Sequence, residues 1–314
     1  MGHTRMLRKS CDRESVVLGW RRRLPMACAL VIWAASGVAA GAPAPADSSA
    51  ALQEKYRQLV RQPGKNKFQR PLYLDSTESP TRLAGDVHAV MDYPFAATQA
   101  TFRSAANWCD VLILHINTKY CRSSVAADGT TLAVRIGRKE AQPLENAFAM
   151  AFDFRSSEPA KDYFEAELSA DKGPLSTTSY RIRLQAVPVE GNKTFLHLGY
   201  SYEYGMAGRV ATQAYLATAG RGKVGFTSAG DAADGHANYI GGVRGVVERN
   251  TMRYYLAIDA YLGALSSPPG EQFERRIERW YDATEKFPRQ LHEVDRADYL
   301  TMKREEYRRQ QAIR

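Results

Sequence analysis

Between Val87 and Tyr204 large apolar residues alternate with small or polar ones in seven separate runs. No other feature constrains the fold as much, because period-2 alternation belongs to strands whose two faces meet different surroundings. Val87, Ala89 and Met91 make the first run. Pro94 then opens a helical stretch through Phe95, Thr98, Phe102 and Ala105, at a position where its missing N–H costs little. Six further strands are predicted, from Leu112, Leu114 and Ile116 on to Cys121, then around Val134, Phe152, Ala166, Leu184 and Leu198. Turn residues such as Asp171-Lys172-Gly173-Pro174 and Glu190-Gly191-Asn192 separate them. Connections this short join antiparallel neighbours. Further on, Val247, Thr251, Tyr254, Ile258, Tyr261 and Leu265 recur at spacings of three and four, widened by Met252, Tyr255 and Leu262. A stripe this broad must be buried. The expectation is an α+β fold: a curved antiparallel sheet of about seven strands gripping a long C-terminal helix, with extra helices after it.

The N-terminal segment is read separately. Arg21, Arg22 and Arg23 precede an apolar run over 26–40 that ends in small residues, the pattern of a secretory signal. The run is shorter than the roughly 20 residues that span a bilayer. Residues 1–40 are therefore expected to be a signal peptide, and the mature chain to be periplasmic or secreted with no transmembrane span. The full chain carries a formal charge of +9, and without those residues 36 basic side chains face 32 acidic ones. A surplus this small, with no basic run beside aromatic residues, excludes a nucleic-acid footprint. Cys109 and Cys121 are the cysteines that remain, and in an oxidising compartment they are expected to pair.

Residues 41–82 read as a leader with a short helix over 52–61, stopped by Pro63-Gly64-Lys65-Asn66, and an irregular stretch over 72–80. The main domain spans 83–265. Within it, residues 207–242 form an insertion with a helix over 209–219 and short strands over 223–227 and 238–240. After Pro268-Pro269-Gly270, residues 271–314 carry eleven basic and ten acidic side chains. They read as solvated helices held to the domain by Phe273, Ile277, Trp280 and Tyr281, with a docking tail for an envelope protein as the alternative.

Gly85-Asp86-Val87-His88-Ala89-Val90, the helix after Pro94, the tyrosine strand ending at Tyr204 and the helix around Arg253-Tyr254-Tyr255 together resemble the START-like superfamily, also called SRPBCC or helix-grip proteins. The resemblance covers residues 83–265. It implies a cavity between sheet and helix that holds a lipid or another hydrophobic small molecule. The chain also resembles exported bacterial proteins of unassigned role.

The candidate ligand-binding residues are Trp108, Met150, Phe152, Tyr200, Tyr202, Tyr204, Tyr254, Tyr255 and Ile258. Tyrosine combines an apolar ring with a polar tip, so it can line a cavity and orient a head group. His115 and His197 are expected on strands, on the face opposite the larger apolar set. A cyclase- or hydrolase-like enzyme using cavity Tyr and His is the lesser reading, and no catalytic residue is assigned. His292-Glu293 lacks the second histidine of a helical zinc site, so neither metal nor cofactor is expected. Gly220-Arg221-Gly222-Lys223-Val224-Gly225 follows a helix and precedes a strand, the reverse of a dinucleotide site, and is read as a turn. Glu248 and Arg244 are expected to pair along the helix surface. Arg253 is also read as a surface residue; turned inward, it could neutralise an anionic head group.

Overall fold

The computed structural model describes residues 45–61, 68, 71–218, 220–231 and 237–312. The signal-like segment and the Pro63–Asn66 helix stop lie outside the described residues. The chain runs α1 (Pro45–Val60), β1 (Leu72–Glu78), β2 (Arg82–Met91), α2 (Phe95–Phe102), α3 (Ala105–Leu112), β3 (Thr118–Ala126), β4 (Gly129–Ile136), β5 (Phe148–Ser156), β6 (Phe164–Lys172), β7 (Thr177–Val189) and β8 (Lys193–Tyr204). It continues through α4 (Met206–Ala217), β9 (Ser228–Asp231), β10 (Ala237–Tyr239), α5 (Gly242–Gly263), α6 (Gln272–Thr284), α7 (Pro288–Leu291) and α8 (Arg296–Ala312).

Eight strands form one open antiparallel sheet in the order β1-β2-β8-β7-β6-β5-β4-β3. The last strand of the series therefore returns beside β2. α5 lies across β1, β2 and β8 and against α3. Close approach there requires glycine: a Cβ on Gly85 of β2 would stand 2.4 Å from Thr251 Oγ1 of α5. The opposite face of the sheet is covered at β7 and β8 by α1, whose Leu52 and Leu59 pack with Tyr163, Val187 and Phe195. Among the described residues no helix is long and apolar enough to cross a membrane.

The elements that differ from expectation do so for identifiable reasons. Residues 72–78 form β1, paired with β2 from Leu72 opposite Ala89 to Glu78 opposite Leu83. Its inward position Ser76 is polar because it donates to Glu248, so no apolar alternation marked the strand. The helix after Pro94 is two helices, the second capped by Ser104, whose side chain accepts from the Asn107 N–H at 3.4 Å. The expected strand from Leu112 is instead the end of α3 followed by turns, with Leu114 N–H bonded to Val111 O and His115 N–H to Leu112 O. Ile113 is as buried as Leu112 and Leu114, and a continuous apolar run does not distinguish strand from buried helix. The strand begins at Thr118. The short strand expected at 223–227 is displaced to β9. Ala149 and Ala151 of β5 are exposed, so the outer face is bare there.

Cys109 of α3 and Cys121 of β3 form a disulfide, with Cα atoms 5.1 Å apart. The C-terminal helices are not a solvated appendage. α6 packs on α5, and α8 on β3 and α6. Trp280 donates to Arg253 O at 3.1 Å, and Tyr299 to Leu114 O at 2.8 Å. Lys303, Glu306 and Gln310 of α8 are buried.

Candidate functional site: the cavity between sheet and helix

Alternation on three strands of the sheet aims one set of side chains at α5: Met150 and Phe152 on β5, Tyr180 on β7, Tyr200 and Tyr202 on β8. They do not meet the helix everywhere. A cavity of about 530 Å³ remains between this part of the sheet, α5 and α4. The tyrosines form a connected aromatic wall. Tyr180 stacks on Tyr202 at 5.1 Å between ring centroids, and Tyr200 lies 5.3 Å from Tyr254 of α5. Burial pushes the hydroxyls of Tyr180, Tyr200, Tyr202 and Tyr254 above the usual tyrosine range, so all four are neutral.

The polar part of the wall comes from α5 and from the turn after α3. His115 is buried and stacks on Tyr254 at 4.7 Å. Its Nδ1 accepts from the Asn117 N–H at 3.2 Å, while Nε2 has no hydrogen-bond partner. Burial lowers its pKa well below the ordinary histidine value, reinforced by the charges of Arg253 and Lys303, while Asn250 beside the ring pulls the other way. Arg253 is buried, not on the surface. It donates to Glu293 Oε1 at 2.6 Å and to Asn250 Oδ1 at 3.4 Å. Glu293 is shared by Arg253, Lys139 and Lys223, at 2.6, 2.7 and 3.3 Å. Burial opposes its charge, but these cations win and hold its carboxyl below the usual range.

The rim is formed by Arg138 and Lys139 between β4 and β5, and by Leu175 between β6 and β7. Leu175 is 62% exposed and sits at φ 57°, a left-handed conformation costly for a branched side chain.

Of the nine candidate ligand-binding residues, Met150, Phe152, Tyr200, Tyr202 and Tyr254 line the cavity. Trp108, Tyr255 and Ile258 are in the solid core, where Trp108 donates to Phe102 O. Tyr204 lines a separate, more open hollow of about 930 Å³ beside β1, with Arg209 and Arg244. His197 lies on the other face of the sheet, bonded to Gln185 and Asp86 and stacked on His88. Glu248 does not pair with Arg244; it is buried and accepts from Ser76, Thr227 and the Phe226 N–H. Tyr180, Asn250 and Arg249 also line the cavity, although sequence reasoning did not select them. A signal was present: Val246, Arg249, Asn250, Arg253 and Tyr254 share one face of a helix that is buried on almost every side. Polar residues at that spacing need a polar interior. Among the described residues no group of three or more His, Cys, Asp or Glu is placed to hold a metal ion.

No protein-family model matches the sequence, and no curated protein matches it. Among solved structures the chain is similar to human StAR-related lipid transfer protein 5, at 9% identity over 55% of this chain and 89% of that one, with a TM-score of 0.29. It is also similar to a protein from Arthrobacter aurescens, at 9% identity over 58% and 87% of the two chains and a TM-score of 0.32. CalU16 from Micromonospora echinospora is similar at 11% identity over 67% and 95%, with a TM-score of 0.28. What the structure itself shows is the expected architecture, an antiparallel sheet gripping a long helix. Strand order and the gripped helix carry that statement by themselves.

Proposed function

We propose that this chain is an exported START-like binding module that holds a hydrophobic small molecule or lipid between the sheet and α5. The observation that carries the reading is the cavity of about 530 Å³ walled by Met150, Phe152 and the tyrosine ladder. Its volume falls within the roughly 300–1,000 Å³ of small-molecule sites. Export is supported by the signal-like N-terminal residues and by the disulfide.

Native mass spectrometry of the gently purified protein tests this reading, together with binding of the neutral dye Nile red. An apolar ligand that co-purifies, or dye fluorescence that Met150→Trp abolishes without lowering the melting temperature, is expected. Protein that is ligand-free and binds neither dye nor any member of a lipid panel would sink the proposal.

The enzymatic alternative retains one observation, the position of His115 in the cavity wall. Burial pushes the neighbouring tyrosine hydroxyls further above neutral pH, which makes them poor acids and bases there. The docking-tail alternative gains no support, because the faces of α6 and α8 that carry Trp280, Tyr299 and Lys303 are used inside the chain.

A further inference from the structure

The proposal that the cavity holds an apolar molecule says nothing of that molecule's polar end; the polar part of the wall does. Four Lys or Arg residues line the cavity: Arg138, Lys139, Arg249 and Arg253. No described Asp or Glu lines it. Glu293, the acid behind Arg253, is already divided among three cations.

Two buried donors in this wall also lack acceptors. His115 Nδ1 takes the Asn117 N–H, so the neutral ring carries its proton on Nε2. That Nε2–H has no hydrogen bond of good geometry, the Asn250 side chain being the polar group beside the ring. Arg253 spends its terminal nitrogens on Glu293, Asn250 and, at 3.5 Å, Leu291 O, while its Nε–H has no partner. Both residues are at least nine-tenths buried: His115 is 4% and Arg253 2% exposed. Unsatisfied donors in a low-dielectric interior are costly, and the two residues that carry them both line the cavity. A group that accepts at two oxygens and carries negative charge would satisfy both donors and meet the cations. A neutral alcohol offers one weaker acceptor, and a quaternary ammonium none.

We infer that the ligand of this cavity is an acidic amphiphile, whose carboxylate or phosphate oxygens accept from His115 Nε2–H and Arg253 Nε–H while its apolar body lies along Met150, Phe152, Tyr200 and Tyr202. The inference rests on the apolar-cavity reading but can fail separately from it.

The test is displacement of Nile red from the full-length protein by four molecules with the same hydrocarbon chain: hexadecanoate, hexadecyl phosphate, hexadecanol and hexadecyltrimethylammonium. At least one acid should displace the dye roughly tenfold or more better than the alcohol, since a bond to a charged group is worth more than one to a neutral group. The order of the two acids separates carboxylate from phosphate. In Arg253→Met the acid-to-alcohol ratio should fall toward one, and in His115→Leu it should fall partway. Because the ratio is taken within each variant, a general loss of folded protein cancels. An alcohol equal to both acids in the wild-type protein, or a preference for the ammonium, would overturn the inference and leave the apolar cavity standing. Failure of Nile red and of all four chains to bind would bring down the cavity reading itself.

Discussion

Two buried charged clusters stand side by side in this molecule, and they differ in what is left unpaired: a carboxylate oxygen in one, two donors beside the cavity in the other. Where α8 meets β3, Lys303 Nζ donates to His115 O at 2.8 Å, Thr118 O at 3.0 Å and Glu306 Oε2 at 2.7 Å. Lys119 Nζ donates to Ile116 O and Met302 Sδ and lies 3.0 Å from Glu306 Oε1. Lys303 thus makes the three hydrogen bonds an ammonium can use, and Lys119 makes two besides its ion pair. Around the cavity, His115 and Arg253 each keep one donor unmatched. His115 belongs to both clusters, with its carbonyl oxygen in the first and its ring in the second. The unpaired Glu306 Oε1 lies 3.0 Å from an ammonium of the same chain, whereas the unpaired atoms beside the cavity are donors that an acceptor on a ligand would meet.

The largest expected effect comes from breaking the cluster at α8. Glu306→Gln would leave two buried ammonium groups facing each other, and chemical denaturation should show a loss of about 3–5 kcal/mol. Glu293→Gln should cost distinctly less, because Lys139 and Lys223 reach solvent at 24% and 25% exposure. Equal losses would erase the distinction between the two clusters.

The disulfide holds α3, which delivers His115, to β3, which carries Lys119. Replacing Cys109 and Cys121 by serine should lower stability by about 3 kcal/mol for a loop of this size. An unchanged denaturation midpoint on reduction would remove the tie from the account.

Acid should act on the histidines before it reaches the carboxylates. Burial holds His115 well below the ordinary histidine value and His88 at about 3. In the unfolded chain both take up protons below about pH 6.5. Folded-state stability is therefore fully present above that pH and falls as pH drops, by at most about 1.4 kcal/mol per pH unit for each histidine. Midpoints measured between pH 7 and 5 should show this slope, and His115→Asn should flatten it. A slope identical in the variant would mean that the ring does not stay neutral.

The smallest contrast concerns two tyrosines. Tyr299→Phe removes the partner of a buried carbonyl and should cost about 1–3 kcal/mol. Tyr254→Phe, in the cavity wall, should change stability by no more than about 0.5 kcal/mol. The reverse order would place the structural demand on the cavity side.

The strands legible from sequence were those with one polar and one apolar face, such as the runs through Phe152 and Tyr200. Those missed had their signal masked by tertiary demands: Ser76 faces inward to reach Glu248, and residues 111–116 are buried on every side. For the cavity the division is similar. The aromatic wall was legible because an apolar period is written in consecutive residues, and five of the nine candidates lie there. Its polar part was not, because a charged residue reads as exposed unless its distant partner is known. Arg253 turns inward because Glu293, forty residues later, waits for it.

By itself the sequence determined the succession of strands from β2 to β8, the antiparallel sense of the sheet and the amphipathic faces, because these follow from local periodicity and short connections. Tertiary structure alone decided that α8 is core, that Arg253 and His115 share one cavity, and that their donors lack acceptors. Burial and hydrogen-bond satisfaction depend on what the rest of the chain brings alongside, and no local pattern carries that information.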